Sequence, residues 1–189
     1  MQQRIRSAYA RAIVAGTLGL ALGTLATTPT LAAPGHHGAW QGGLIGQAHA
    51  AGMRYLDVNN AVADGYVLAT GCVSHDGPGA MGVHYVNLAL LGDDQLDADH
   101  PEALVYEPDR FGNMRLVAVE YMVFSDAWHA ANEAPPVLRG QAMELVGAPN
   151  RYAIPAFYEL HVWAFRHNPD GAFAGFNPRV TCAYYDPAP

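Results

Sequence analysis

The sequence predicts an α+β protein in which an N-terminal helical segment packs on a curled antiparallel sheet or a small β-barrel. Residues 44–55 and 57–64 are alanine-rich and have patterns compatible with helices. From Tyr66 onward, runs of β-branched and aromatic residues alternate with Gly, Pro, Asn and Asp, which is typical of strands joined by turns. The segment 103–124 predicts a hairpin around a turn-rich loop, so we expect the neighbouring strands to be antiparallel.

The first 33 residues have the three regions of a secretory signal peptide. Three arginines precede an apolar run at residues 12–22, and small residues follow up to Ala33. The run is too short and too rich in Gly and Thr to span a membrane comfortably, so we expect cleavage and no membrane anchor afterwards. The mature protein is then exported to the periplasm or the medium. Residues 34–43 are expected to form a flexible N-terminus and residues 44–189 a single globular domain.

The remaining elements follow from local signals along the chain. Asp57 is expected to cap the second helix and Gly65 to end it. A helical turn is predicted at 126–131 and a long loop at 132–155. Strands are predicted at 66–70, 81–91, 103–107, 114–124 and 157–166, with a short edge strand at 180–184.

The balance of charge narrows the choice of partners. All ten basic residues are arginines, against 17 acidic residues. Three of the arginines lie in the predicted signal peptide, so the mature chain is strongly acidic and carries no arginine cluster. Such a surface repels phosphate backbones and anionic lipids, which argues against nucleic acid and anionic membranes as partners.

Cys72 and Cys182 are the only cysteines. In an oxidising compartment two such residues usually form a disulfide bond. The alternative, a pair of ligands for a soft metal, needs further Cys or Met nearby, and none stands at a suitable spacing. The disulfide would close a loop of about 110 residues and contribute at most roughly 4–5 kcal/mol in the chain-entropy model.

Four segments of the mature chain resemble a family of uncharacterised exported bacterial proteins. The likeness covers nearly the whole mature chain, and it implies export and a single domain. It implies no activity and no ligand set. The matching segments are Asp57–Tyr66, Gly79–Asn87 (GAMGVHYVN), Pro101–Pro108 (PEALVYEP) and Tyr158–Trp163 (YELHVW) followed by His167-Asn168-Pro169.

Three residues in the middle of predicted strands are the candidate functional side chains. Alternation along its strand places His84 on the same apolar face as Val86. Glu120 lies in a run that is apolar on both faces, where an unpaired carboxylate needs a cation, a hydrogen-bond donor or a raised pKa. His161 also lies in mid-strand, and Glu159 shares its face. In a curled sheet the three side chains could meet at one point.

Two imidazoles and one carboxylate form a common open metal site, with vacant positions for water or substrate. The sequence therefore predicts a divalent-metal site for zinc, copper, iron or manganese at His84, Glu120 and His161. Zinc would favour hydrolysis or proton transfer, and the other metals would permit oxygen chemistry. His75 is a candidate for a further ligand, and Glu159 is the substitute carboxylate.

The alternative is a metal-free binding or structural module of the cell envelope. In that case backbone groups, Tyr or Glu satisfy the histidines, and Glu120 pairs with Arg115, Arg139 or Arg151 in a buried network. The acidic surface would then meet a protein partner. Aromatic residues near His161 could instead line an apolar pocket for a small-molecule ligand. The sequence leaves both readings open and names no reaction.

Overall fold

The structure, a computed structural model, describes residues 43–186. The predicted signal peptide (1–33) and all but the last residue of the predicted flexible N-terminus lie outside the described residues. The described residues belong to one compact unit of the chain. None of the helices that the structure describes is long and apolar enough to cross a membrane.

Two helices precede the sheet, as the sequence predicts. They are α1 (Leu44–Gly52) and α2 (Val58–Ala63), joined by a 3-10 turn at Met53–Tyr55. The buried residues of α1, Leu44, Ala48 and Gly52, are four positions apart and so share one face of the helix. The Asp57 carboxylate caps α2 by accepting a backbone N–H two residues later. Gly65 then ends the helical segment with a φ of 93°, which favours glycine.

Six antiparallel strands form one curled sheet in the order β1-β2-β3-β4-β8-β7, with the form of half a barrel. These strands are β1 (Tyr66–His75), β2 (Gly79–Asn87), β3 (Ala103–Pro108), β4 (Met114–Phe124), β7 (Glu144–Val146) and β8 (Phe157–Val162). A separate hairpin consists of β5 (Val137–Leu138) and β6 (Gln141–Ala142), and the short helices α3 (Leu88–Leu91) and α4 (Ser125–Ala131) follow β2 and β4. The predicted α+β class and the curled antiparallel sheet are confirmed.

Strand β4 is buried on both faces because the sheet is covered from two sides. Val119 and Tyr121 face α1 and pack in one cluster with Leu44. Ala118 and Met122 point to the opposite face, where separate apolar clusters lie. We call the face opposite the helices the second face. A residue in the middle of β4 therefore has almost no access to solvent on either side, which decides the environment of Glu120.

The predicted strand at 81–91 is too long. It ends at Asn87, whose side-chain oxygen accepts the N–H groups of Ala89 and Leu90 and so starts α3. This side-chain cap gives the backbone a local alternative to the sheet. The strand that begins at Phe157 likewise ends early, at Val162.

The predicted edge strand at 180–184 is also wrong. Val180 is buried on the second face with Val105 and Trp163, so this segment covers the sheet instead of extending it. The sheet edges are β1 and β7. Strand β7 and the β5–β6 hairpin lie within 132–155, which the sequence predicts as a loop. These strands are two or three residues long, too short for a periodic signal.

The predicted disulfide between Cys72 and Cys182 is present. Its Cα atoms lie 5.6 Å apart, within the usual range for a disulfide, and the two cysteines are 110 residues apart in sequence. The bond ties β1 to the C-terminal segment. It therefore joins two parts of the chain that the sheet hydrogen bonds do not connect directly.

Glu102 is a buried carboxyl group that takes part in sheet pairing. Its side chain accepts the backbone N–H of Met122 at 2.9 Å, and the residue is only 2% exposed. The next residue, Ala103, begins β3 opposite Glu120. Glu102 therefore lies just beyond the last residue pair of β3 and β4, where its side chain takes over the bonding to β4. Burial raises the pKa of Glu102 to about 8, and this effect outweighs the hydrogen bond from Met122, which lowers it.

We expect Glu102→Gln to remove part of the pH dependence of stability. The folded-state pKa of about 8 lies above the ordinary value of 4.5, so the contribution of Glu102 is complete below about pH 4.5 and is lost by the time pH has risen past about 8. Between these two pH values the free energy of unfolding of the wild type should fall, relative to that of the variant, by up to about 1.4 kcal/mol per pH unit. Urea unfolding at several pH values measures the difference, and parallel curves for the two proteins would contradict the assignment.

Candidate metal centre

The three candidate ligands lie on β2, β4 and β8 and point to the second face. Strands β4 and β8 are neighbours, and β3 lies between β2 and β4. Glu120 of β4 is directly opposite His161 of β8 in the sheet register. His84 of β2 is opposite Val105 of β3, which is opposite Ala118 of β4, two residues before Glu120. Because side chains two residues apart in a strand share a face, these pairings bring His84 beside Glu120. The sheet positions the whole group without help from a loop.

The side-chain atoms of this group are separated by distances that suit a shared ion. The Nε2 atoms of His84 and His161 are 3.5 Å apart. One oxygen of Glu120 lies 3.6 Å from His84 Nε2, and its other oxygen lies 3.8 Å from His161 Nε2. For comparison, two ligand atoms of tetrahedral zinc are about 3.4 Å apart. In the part of the chain that the structure describes, these are the residues brought together as a group that could hold a metal ion.

All three side chains are almost completely buried, with exposures of 5% for His84, 3% for Glu120 and 2% for His161. The rings of the two histidines are nearly perpendicular, at 89°. Thr70 Oγ1 of β1 lies 3.1 Å from His84 Nδ1, so this hydrogen bond leaves Nε2 directed at the group. Such a partner on the far ring nitrogen is the usual way in which proteins orient a metal-binding histidine.

Burial sets the protonation of the group in the absence of an ion. It lowers the pKa of His84 to about 4 and, together with the neighbouring His84, lowers the pKa of His161 to about 3. Burial and the nearby Glu159 carboxyl raise the pKa of Glu120 well above its usual value. At neutral pH both imidazoles are therefore uncharged, the state that binds metals, whereas the raised pKa of Glu120 makes a proton a competitor of the ion for this carboxyl group.

Glu159 is the second carboxyl group at the site. It lies on β8 two residues before His161, opposite Met122 of β4, is 7% exposed, and influences the pKa of the nearby Glu120 carboxyl group. Burial raises the pKa of Glu159 to about 7. The side chain lines two cavities of about 110 Å³ each, one bordered by His84 and Glu120 and the other by His161 and Glu144. Glu159 thus separates two spaces that both reach the group.

The structure places His75 apart from this group. It lies at the exposed end of β1, where its Nδ1 atom is 3.0 Å from the carbonyl oxygen of Asp76 and its ring meets the edge of Phe176. None of the three arginines considered as partners of Glu120 forms an ion pair with it among the described residues, where the ionic contacts of Glu120 are with the two histidines. Arg115 pairs with Asp109 at the surface. The charge of Arg151 acts on the neighbouring Glu159, where it opposes the rise in pKa.

Sequence reasoning missed Thr70 and Tyr152. Thr70 reaches His84 because the register of β1 shifts on both sides of it, between Leu68 and Cys72, so simple alternation does not place its side chain. Tyr152 lies in a loop and lines the cavity beside His84.

Comparison of the chain with protein-family models, curated proteins and solved structures found no match. The chemistry of the centre therefore depends on what its own residues can do.

Proposed function

We propose that His84, Glu120 and His161 bind one divalent metal ion, and that the ion acts on a small molecule in the adjoining cavity. The observation that carries this proposal is the spacing of the three ligand atoms, which meet from three strands. Two of these residues, His84 and Glu120, also line a cavity. Glu159 is the further carboxyl group within this site. The disulfide supports export as part of the proposal, since disulfides persist in oxidising compartments.

The distances favour a metal site over a buried polar network. Direct N–H···O hydrogen bonds measure about 2.7–3.2 Å. The contacts of Glu120 with the two histidines are longer, at 3.6 Å to His84 and 3.8 Å to His161. A polar network that replaced an ion would be expected to close these gaps. A cation held by His84, Glu120 and His161 would give each of the three groups a partner, since zinc binds such ligands at about 2.0–2.2 Å.

The donor set limits the choice of metal and of chemistry. Two imidazole nitrogens and one carboxylate suit zinc, iron, manganese or copper, and they leave coordination positions free. A bound zinc ion would supply a Lewis acid that polarises a substrate oxygen and makes water acidic near pH 7. Glu159 borders both cavities and lines one of them together with Glu120, so it is placed to accept or return a proton beside the reactant. Thr70 fixes the ring of His84.

Zinc titration of the mature protein, purified without a histidine tag and stripped with a chelator, tests the proposal. We expect about one zinc ion per chain by elemental mass spectrometry. Because binding displaces the proton of Glu120, whose pKa is raised, the affinity should increase by about tenfold per pH unit below that pKa. Calorimetry at pH 6, 7 and 8 in buffers of different ionisation enthalpy measures the proton released. Absence of stoichiometric binding by zinc, iron, manganese and copper would overturn the proposal and favour the metal-free module.

A further inference from the structure

The cavity beside His84 has a mainly apolar wall. Side chains from the second face of the sheet, α3 and the loop before β8 form this wall, and those of the sheet are next to the ionisable groups along the same strands. Leu88 stands among the lining residues and is 63% exposed, so the cavity opens to solvent at this point. The apolar lining includes Val86, Leu91, Met122, Ile154 and Phe157.

The polar groups of the cavity are gathered around one end. His84, Glu120 and Glu159 each lie below one-tenth exposure and border the cavity, and Thr70 stands beside His84. A ligand in this space therefore meets hydrogen-bonding and metal-binding groups at one end and hydrocarbon over most of its remaining length. This is the usual design of a small-molecule site, in which a few polar groups orient a ligand that apolar walls hold.

The charges at the cavity argue against an anionic ligand. No arginine is among the described residues that line it, and the chain contains no lysine. The ionisable lining groups are His84 and two carboxyl groups, Glu120 and Glu159. A divalent ion bound at His84 and Glu120 would be neutralised by the two carboxyl groups in their ionised form. A carboxylate or phosphate ligand would therefore bring an uncompensated negative charge into an apolar space that offers no guanidinium or ammonium partner, which is costly. An uncharged ligand avoids this cost.

The volume restricts the size of the ligand. The cavity measures about 110 Å³, whereas an apolar cavity of about 150 Å³ takes up benzene. The enclosed space therefore suits a molecule somewhat smaller than benzene, of about four to five non-hydrogen atoms. A longer chain would have to pass out beside Leu88.

We propose that this cavity is the substrate pocket for a short, uncharged aliphatic ketone, aldehyde or alcohol. Its single oxygen points to His84 and Glu120, and its hydrocarbon part packs against Met122, Ile154 and Phe157. This inference rests on the proposed function for the role of the metal, since the ion at His84 and Glu120 would receive the oxygen. The apolar part of the recognition belongs to the cavity itself and does not require the ion.

Ligand-observed NMR with butanone tests the pocket in zinc-loaded and in metal-free protein. We expect butanone to bind the zinc-loaded protein with a Kd of about 1 mM or tighter, and butanoate, its charged analogue, to bind at least tenfold more weakly. Ile154→Trp, which fills the cavity from a loop, should weaken butanone binding at least tenfold. Leu145→Trp is the matched control because Leu145 is 53% exposed on β7 and does not line the cavity.

The outcomes separate the pocket from the metal. Butanone binding that Ile154→Trp abolishes in a protein that takes up no metal would support the pocket and overturn the proposed function. Stoichiometric zinc binding without butanone binding would support the metal centre and overturn the pocket. Equal binding by Ile154→Trp and Leu145→Trp, or equal binding of butanoate, would overturn the pocket. The zinc content of both variants is measured to check that neither substitution has removed the metal.

Discussion

Replacement of His161 by alanine is expected to reduce bound zinc from about one ion per chain to almost none. The substitution removes one of the three ligand atoms and one of the two imidazoles. The Glu159 carboxyl group that remains at the site does not replace the lost nitrogen ligand. Loss of an outer partner of a metal ligand already costs about 10–100-fold in affinity, so loss of the ligand itself should cost more than 100-fold. Elemental mass spectrometry and competition with a chromophoric chelator measure the two quantities.

A graded series gives this result its controls. His100→Ala removes an exposed histidine whose side-chain contact is with Asp97, and it should leave zinc binding unchanged. Thr70→Val keeps the shape of the side chain and removes the hydrogen bond to His84, so its affinity should fall between those of wild type and His161→Ala. Circular dichroism and thermal melting of the metal-free variants exclude unfolding as the cause. Full zinc binding by a folded His161→Ala protein would remove His161 from the centre.

Loss of the Cys72–Cys182 disulfide is expected to have the largest effect on stability. A crosslink that closes a loop of 110 residues restricts the unfolded chain strongly, which corresponds to about 4 kcal/mol in the chain-entropy model. This is a large part of the 5–15 kcal/mol that stabilises a typical domain. The double variant Cys72→Ala/Cys182→Ala should therefore unfold at a temperature roughly 10 °C lower than the oxidised wild type.

Reduction provides the control for that comparison. The wild type in dithiothreitol should melt close to the double variant, because both lack the crosslink and keep the same apolar contacts of the second face. Urea unfolding of the oxidised wild type, the reduced wild type and the double variant gives the free energies. A difference of less than about 1 kcal/mol between the oxidised protein and the double variant would show that the bond contributes little beyond the packing of the C-terminal segment.

The sequence predicts the convergence of His84, Glu120 and His161 because each lies within a strand. Side-chain alternation in a strand is local, so it can be followed without knowledge of the fold. Glu120 stands out further because its neighbours are apolar on both sides. The buried group that could hold a metal is present in the structure, whereas binding of an ion stays a prediction.

Other parts of the site depend on structure that leaves no simple periodic signal. Thr70 reaches His84 through irregular register in β1, and Tyr152 and Ile154 reach the cavity from a loop. The segment at 180–184 has strand-like composition, yet tertiary packing of Val180 on the second face overrides that preference. Long-range packing, which a single sequence does not display, decides all of these positions.

The position of Glu159 gives the centre two entrances of opposite character. One is lined by hydrocarbon beside Leu88 and Ile154, and the other passes Glu144, which is exposed on β7 directly opposite Glu159. In the proposed site an organic reactant would occupy the first entrance, while water, protons or a cation would reach the centre by the second, past Glu144 and Glu159. Substitutions at Ile154 and at Glu144 would then block the two routes separately.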